Sequence, residues 1–124
     1  MTAITLDLLV VQCHAPYASA TANEGLDLAL ASAAFEKVTG ILFQGDGVYQ
    51  LLAEQSPDGI HQKNLSKVLS AAPIYGVQHL FVSATCLQER KLSFDHLISR
   101  IELTPVSIAQ VKELVRGAAH VMRF

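Results

Sequence analysis

Leu8-Leu9-Val10-Val11 is an unbroken apolar run near the start of the chain. A strand with one wet face alternates apolar and polar residues, so a continuous run marks a strand covered on both faces. Ile4 to Gln12 therefore reads as an inner strand. A loop of small residues follows from Cys13 to Ala22, with Pro16 inside it, and then a helical pattern. Strand-like and helix-like segments go on alternating to the end of the chain. That alternation predicts an α/β fold, a parallel sheet with helices on both faces.

Glu24 to Val38 is the first predicted helix, with Asn23 as its N-cap and Glu24 and Asp27 near its positive end. Leu26, Leu30 and Ala33 share one face, while Leu28, Ser32 and Phe35 share another. A helix apolar on two sides is expected to be buried on two sides, the second against the same chain or against another subunit. Thr39 to Gln44 is the second strand. Gly45-Asp46-Gly47 then makes a tight turn into the apolar Val48-Tyr49-Gln50-Leu51-Leu52. Ser56-Pro57 opens a helix that ends before Pro73. Gln78 to Ala84 is the third strand and Thr85 to Leu92 a short turn or helix. Alternation at Leu97, Ser99, Ile101 and Leu103 predicts a fourth strand over Leu97 to Leu103. Thr104-Pro105 is read as the start of the last helix, with a stripe at Ile108, Val111 and Val115 and a stop at Gly117. Ala119 to Phe124 is the fifth strand.

The 124 residues fit one domain over 1–124. Hydrophobic residues make up 51% and charged residues 16%, against roughly 25% charged in an average globular domain. So apolar a chain is not disordered, and part of its apolar surface is expected to be hidden by a partner. Residues 1–62 carry one base against seven acids, and residues 63–124 carry eight bases against four acids. The bases are scattered, so no phosphate-tracking stripe points to direct nucleic-acid binding. No apolar run approaches the roughly 20 residues of a membrane span. The first residues lack the basic lead of a signal peptide, and two cysteines are too few for a secreted disulfide framework. The expected compartment is the cytoplasm, with both thiols reduced.

Parallel sheets place their sites outside the carboxyl ends of the strands. That edge carries Cys13-His14, Gly45-Asp46-Gly47 and Thr85-Cys86. Cys86, at the start of a short helix, suits a dipole-stabilised thiolate better than Cys13 does. The competing reading makes both cysteines small apolar fillers. Cys13 and His14 point opposite ways on an extended chain, which argues against a direct pair. The five histidines show no metal-ligand spacing, and neither a Ser-His-Asp pattern nor paired carboxylates are evident. The Gly45-Asp46-Gly47 turn lacks the glycine patterns of a phosphate cradle. The Ala15 to Ala22 loop is a weak candidate for a flavin phosphate at a helix start, so no cofactor is expected.

Three segments carry a family resemblance: Ala15-Pro16 followed by Glu24-Gly25-Leu26-Asp27 and an alanine-rich helix, Asp46-Gly47-Val48-Tyr49-Gln50-Leu51-Leu52, and the terminal Val121-Met122-Arg123-Phe124. With Leu87-Gln88-Glu89-Arg90, they resemble the DsrE/DsrF-like sulfur-relay proteins, in particular the TusC (DsrF) branch. The resemblance implies a flavodoxin-like three-layer sandwich with a five-stranded parallel sheet. It implies a heterohexamer with TusB-like and TusD-like paralogues, two copies of each subunit. That complex takes persulfide sulfur from a TusA-like protein and passes it toward a TusE-like protein, ending in 2-thiolation of a tRNA wobble uridine. The related DsrEFH complex serves sulfur oxidation, and a DsrF-like subunit in sulfur oxidation is one alternative reading. In the family the sulfur-carrying cysteine belongs to the TusD-like subunit, and its position matches Ser83 here. A serine cannot form a persulfide, so a scaffold role is implied, with a direct persulfide carrier at Cys86 and a small flavin- or nucleotide-binding domain as the alternatives. Leu28, Phe35, Val48, Tyr49 and Leu52 become candidate interface residues.

Overall fold

The computed structural model describes residues 5–16, 20–52, 65–99 and 101–124. Five strands, β1 (Leu8–Gln12), β2 (Thr39–Phe43), β3 (His79–Ser83), β4 (Leu103–Val106) and β5 (His120–Arg123), form one sheet. Its order is β4-β3-β2-β1-β5, and every pair is parallel. The helices are α1 (Thr21–Ala34), α2 (Leu65–Ala71), α3 (Ala84–Glu89) and α4 (Ile108–Gly117), with short 3-10 helices at Gly45–Leu51 and Phe94–His96. This is the expected five-stranded α/β sandwich.

The strand order decides which face each helix covers. The chain steps from β1 to β4 in one direction, so right-handed crossovers keep α1, α2 and α3 on one face. The last crossover returns past β1 to its far side and puts α4 on the other face. The core divides accordingly. Val10, Ile41, Phe43 and Val82 pack with Leu26, Leu51 and Leu69 on the α1 side. Leu9, Val11, Leu42 and Phe81 pack with Leu114 on the α4 side. All ten residues of β1 and β2 are buried, which is why both read as continuous apolar runs. Each large apolar side chain removed from water contributes about 1.5–3 kcal/mol.

Several boundaries differ from the sequence reading. Helix α1 begins at Thr21, and its N-cap is Ala20 with no side-chain cap, so Asn23 sits within the first turn rather than capping it. It ends at Ala34, where Glu36 turns the chain in a left-handed conformation (φ 62). Val48-Tyr49-Gln50-Leu51 continue the glycine turn as a 3-10 helix. The fourth strand lies at Leu103–Val106, not Leu97–Leu103. Leu97 makes an isolated antiparallel bridge to Leu52, and Ile98 and Ile101 are buried loop residues. Loop side chains pinned on the core imitate the alternation of a strand. Thr104-Pro105 does not open a helix; Pro105 is tolerated in β4 because β4 is an edge strand. The true start signal is Ser107, whose hydroxyl accepts the Gln110 N–H while its own N–H donates to the Gln110 side chain. The predicted Ser56-Pro57 helix start lies outside the described residues.

Candidate functional site

The carboxyl ends of β1, β2 and β3 meet at one edge of the sheet. After β2 the chain turns back under β1 through Gly45 (φ +55) and Gly47. A Cβ on Gly47 would lie 1.9 Å from the Gln12 carbonyl oxygen, so only glycine fits there. The Gln44 N–H donates to that same carbonyl at 3.0 Å. The turn is thereby held against the end of β1.

This geometry brings Gly45 to Cys86. Cys86 is the third residue of α3, and its N–H donates to the hydroxyl oxygen of the N-cap Ser83 at 3.2 Å. Its sulfur accepts the Gly45 N–H at 3.2 Å. The turn after β3 is helical, so Ser83 and Cys86 share one corner of the edge. Four residues on, Arg90 lies on the same face of the helix. Its Nε and Nη2 donate to Asp46 Oδ1 at 3.2 and 3.0 Å, and its Nη1 donates to the Cys86 carbonyl at 3.3 Å. The hydrogen bond to Asp46 holds the Arg90 guanidinium above its ordinary range; burial opposes this, and the charges of Asp46, Cys86 and Tyr49 reinforce it. Arg90 clamps α3 to the glycine turn across the Cys86 corner.

Cys13 is at the same edge but on the other side of the sheet. It packs in the α4-side core, whereas Cys86 packs in the α1-side core. The Gln44 side-chain amide lies 3.8 Å from the Cys13 sulfur. Consecutive residues, Gln44 and Gly45, thus donate to the two sulfurs on opposite faces. Both thiols are free and half-buried. The last residue closes the edge: Cys13 N–H donates to the Phe124 carbonyl at 2.7 Å. His14 is exposed, and among the described residues no cluster of His, Cys, Asp and Glu could hold a metal ion.

Sequence reasoning missed Gln12, Gln44 and Arg90. The i, i+4 spacing of Cys86 and Arg90 was available as a signal; the Asp46 partner was not. Gln12 is fully buried at the end of β1, and its amide donates to the Ala22 carbonyl at 2.9 Å. Gly25 makes room for it, since a Cβ there would sit 2.5 Å from the Gln12 side-chain oxygen. The interface candidates divide. Phe35 is 80% exposed, and Leu28, Tyr49 and Leu52 are half-buried. Val48 is a correction: it is fully buried in the α1-side core, out of reach of any partner.

Residues 7–124 match the model of the DsrE/DsrF-like family, to which the chain belongs. A Protein TusC homolog of Pseudomonas aeruginosa is 41% identical over 96 residues, 77% of this chain and 81% of that one. A second, from Vibrio parahaemolyticus, is 36% identical over 110 residues, 89% of this chain and 92% of that one. Within the family, then, this is a TusC-like chain. The ychN protein from E. coli has the same fold, with a TM-score of 0.82 at 22% identity over 96% of this chain and 99% of that one. So does a protein of unknown function from Methanobacterium thermoautotrophicum, with a TM-score of 0.64 at 15% identity over 94% of this chain and 98% of that one.

Proposed function

We propose that this chain is the TusC-like subunit of a sulfur-relay complex supporting 2-thiolation of the tRNA wobble uridine, and that its part is structural. It completes the oligomer that positions a partner's persulfide cysteine. The observation that carries this reading is the 41% identity to a relative named Protein TusC homolog. The edge chemistry agrees with it. The position matched to the family's sulfur-carrying cysteine is Ser83, whose hydroxyl is engaged in capping α3. Persulfide transfer needs a thiolate nucleophile, which a serine does not supply. The partners are TusB-like and TusD-like paralogues, two copies of each subunit, working in the cytoplasm between TusA-like and TusE-like proteins. Exposed Phe35, Ile74 and Tyr75 support a chain that is partly covered in its working state.

Deleting the gene and measuring wobble 2-thiouridine by nucleoside mass spectrometry tests the reading. The modification is expected to fall to background and to return when a Cys86→Ser chain is supplied. Unchanged 2-thiouridine in the deletion strain overturns it.

One contact favours a second reading, direct sulfur carriage by Cys86. The Gly45 N–H donates to the sulfur, as an oxyanion-hole donor does to oxygen. In the step itself, the Cys86 thiolate attacks the outer sulfur of a donor persulfide. The donor's inner sulfur leaves as a thiolate, and no net electrons move. Intact mass would then rise by about 32 Da per sulfur on the thiolate nucleophile, and Cys86→Ser would abolish the rise. In this case Cys86→Ser would fail to restore 2-thiouridine in the deletion strain.

A further inference from the structure

The two edges of the sheet are built differently. At one edge, β4 holds Pro105, which offers no N–H to a neighbouring strand. At the other edge, all four residues of β5 are exposed and none is proline. His120 and Phe124 donate their N–H groups to the Asp7 and Val11 carbonyls at 3.1 and 2.8 Å. The alternate residues Val121 and Arg123 therefore turn their N–H and C=O groups outward, unpaired by the sheet.

Each side of this open strand has its own chemistry. Toward α1 lies a groove of about 440 Å3, floored by Leu8, Leu28, Ala119 and Met122, with Lys37 and His120 at its rim. Asp7 also lines it, but its Oδ2 accepts the Val38 N–H at 2.8 Å. Toward α4 lie Val121 and Arg123, whose register partners Leu9 and Val11 belong to the α4-side core. No acid lies on β5, and among the described residues Arg123 forms no ion pair. A second copy of this chain is a poor occupant. Antiparallel pairing of two copies would bring β5 against β5, which holds no acid, and so would leave each Arg123 without a countercharge.

We propose that the open edge of β5 accepts an extended strand from a partner subunit, apolar on the side facing α1 and acidic on the side facing α4. The proposal rests on the subunit reading above. Backbone hydrogen bonds to Val121 and Arg123 supply the pairing, the groove beside Met122 takes the apolar side chains, and Arg123 selects the acid.

The test uses the full chain co-expressed with the TusB-like and TusD-like paralogues of its own genome. Val121→Pro removes an outward N–H, and Arg123→Glu reverses the exposed charge. Both variants are expected to keep the wild-type far-ultraviolet spectrum and to lose at least about tenfold in the fraction retained in the complex, a change of about 1.4 kcal/mol. In the wild-type complex, hydrogen exchange at Val121 and Arg123 is expected to slow relative to the free chain. If Val121→Pro misfolds, Arg123→Glu and the exchange rates still decide. Wild-type assembly by both variants, or no slowing at those two amides in an assembled complex, overturns the strand proposal and leaves the subunit reading standing. A wild-type chain that joins neither paralogue overturns the subunit reading and the strand proposal with it.

Discussion

Gly47 shows how closely a single position can be dictated. Its missing Cβ is what lets the turn after β2 pass the Gln12 carbonyl, and a methyl group there would meet backbone rather than a yielding side chain. Gly47→Ala is expected to lose about 3 kcal/mol or more by overpacking, measured as a fall in the denaturant midpoint at unchanged slope. Leu26, buried between α1 and the sheet, has the opposite vulnerability. Leu26→Ala is expected to cost about 2–5 kcal/mol in the same measurement, through lost burial and the cavity left behind. At this scale the sequence was partly legible. Cys86 was found because it follows a strand and opens a helix. Arg90 follows it at helical spacing, but Gly45 at its sulfur and Asp46 on Arg90 come from the turn after β2 and reach this corner only through tertiary contact.

Among the elements, α4 and β4 teach the most. Both Thr104-Pro105 and Ser107 resemble helix starts, and local chemistry alone does not choose between them. The structure uses Ser107, with its reciprocal bonds to Gln110, and spends Thr104-Pro105 on an edge strand. Ser107→Ala is expected to destabilise the protein by about 1 kcal/mol, read as a lowered melting temperature. The helix α1 was legible in type and face but not in its boundaries. Its start lacks a side-chain cap, so no residue announces it. Its second apolar face proved half-covered: Leu28 lines a groove, while Phe35 at the C-cap stands in solvent.

The whole molecule is a sheet with one thickly covered face and one covered by α4. The apolar residues near its amino-terminal edge make a further expectation. Ile74 and Tyr75 are 84% and 65% exposed, and a Cβ on the adjoining Gly76 would lie 3.4 Å from the Cβ of Ala33 in α1, close in sequence to Phe35. Phe35→Ser is expected to change the stability of the isolated chain by less than about 0.5 kcal/mol, because the side chain touches little of its own core. The same substitution should weaken assembly if that patch is covered by a paralogue, which co-purification of the complex would read. Among the described residues no helix is long and apolar enough to cross a membrane. The low charge fraction goes with a fully buried pair of inner strands and with exposed apolar residues on the rim.

The sequence by itself determined the α/β class, the parallel sheet and the edge on which the cysteines lie. Those follow from short-range periodicity and from the need to cover an apolar strand on both faces. Its motifs also pointed to the family. The tertiary structure alone decided which edge strand stays open and that Val48 belongs to the core. It also put the two thiols on opposite faces and set Asp46 beside Arg90. These are matters of strand order and crossover direction, which bring together residues far apart in the chain and leave no mark on local spacing.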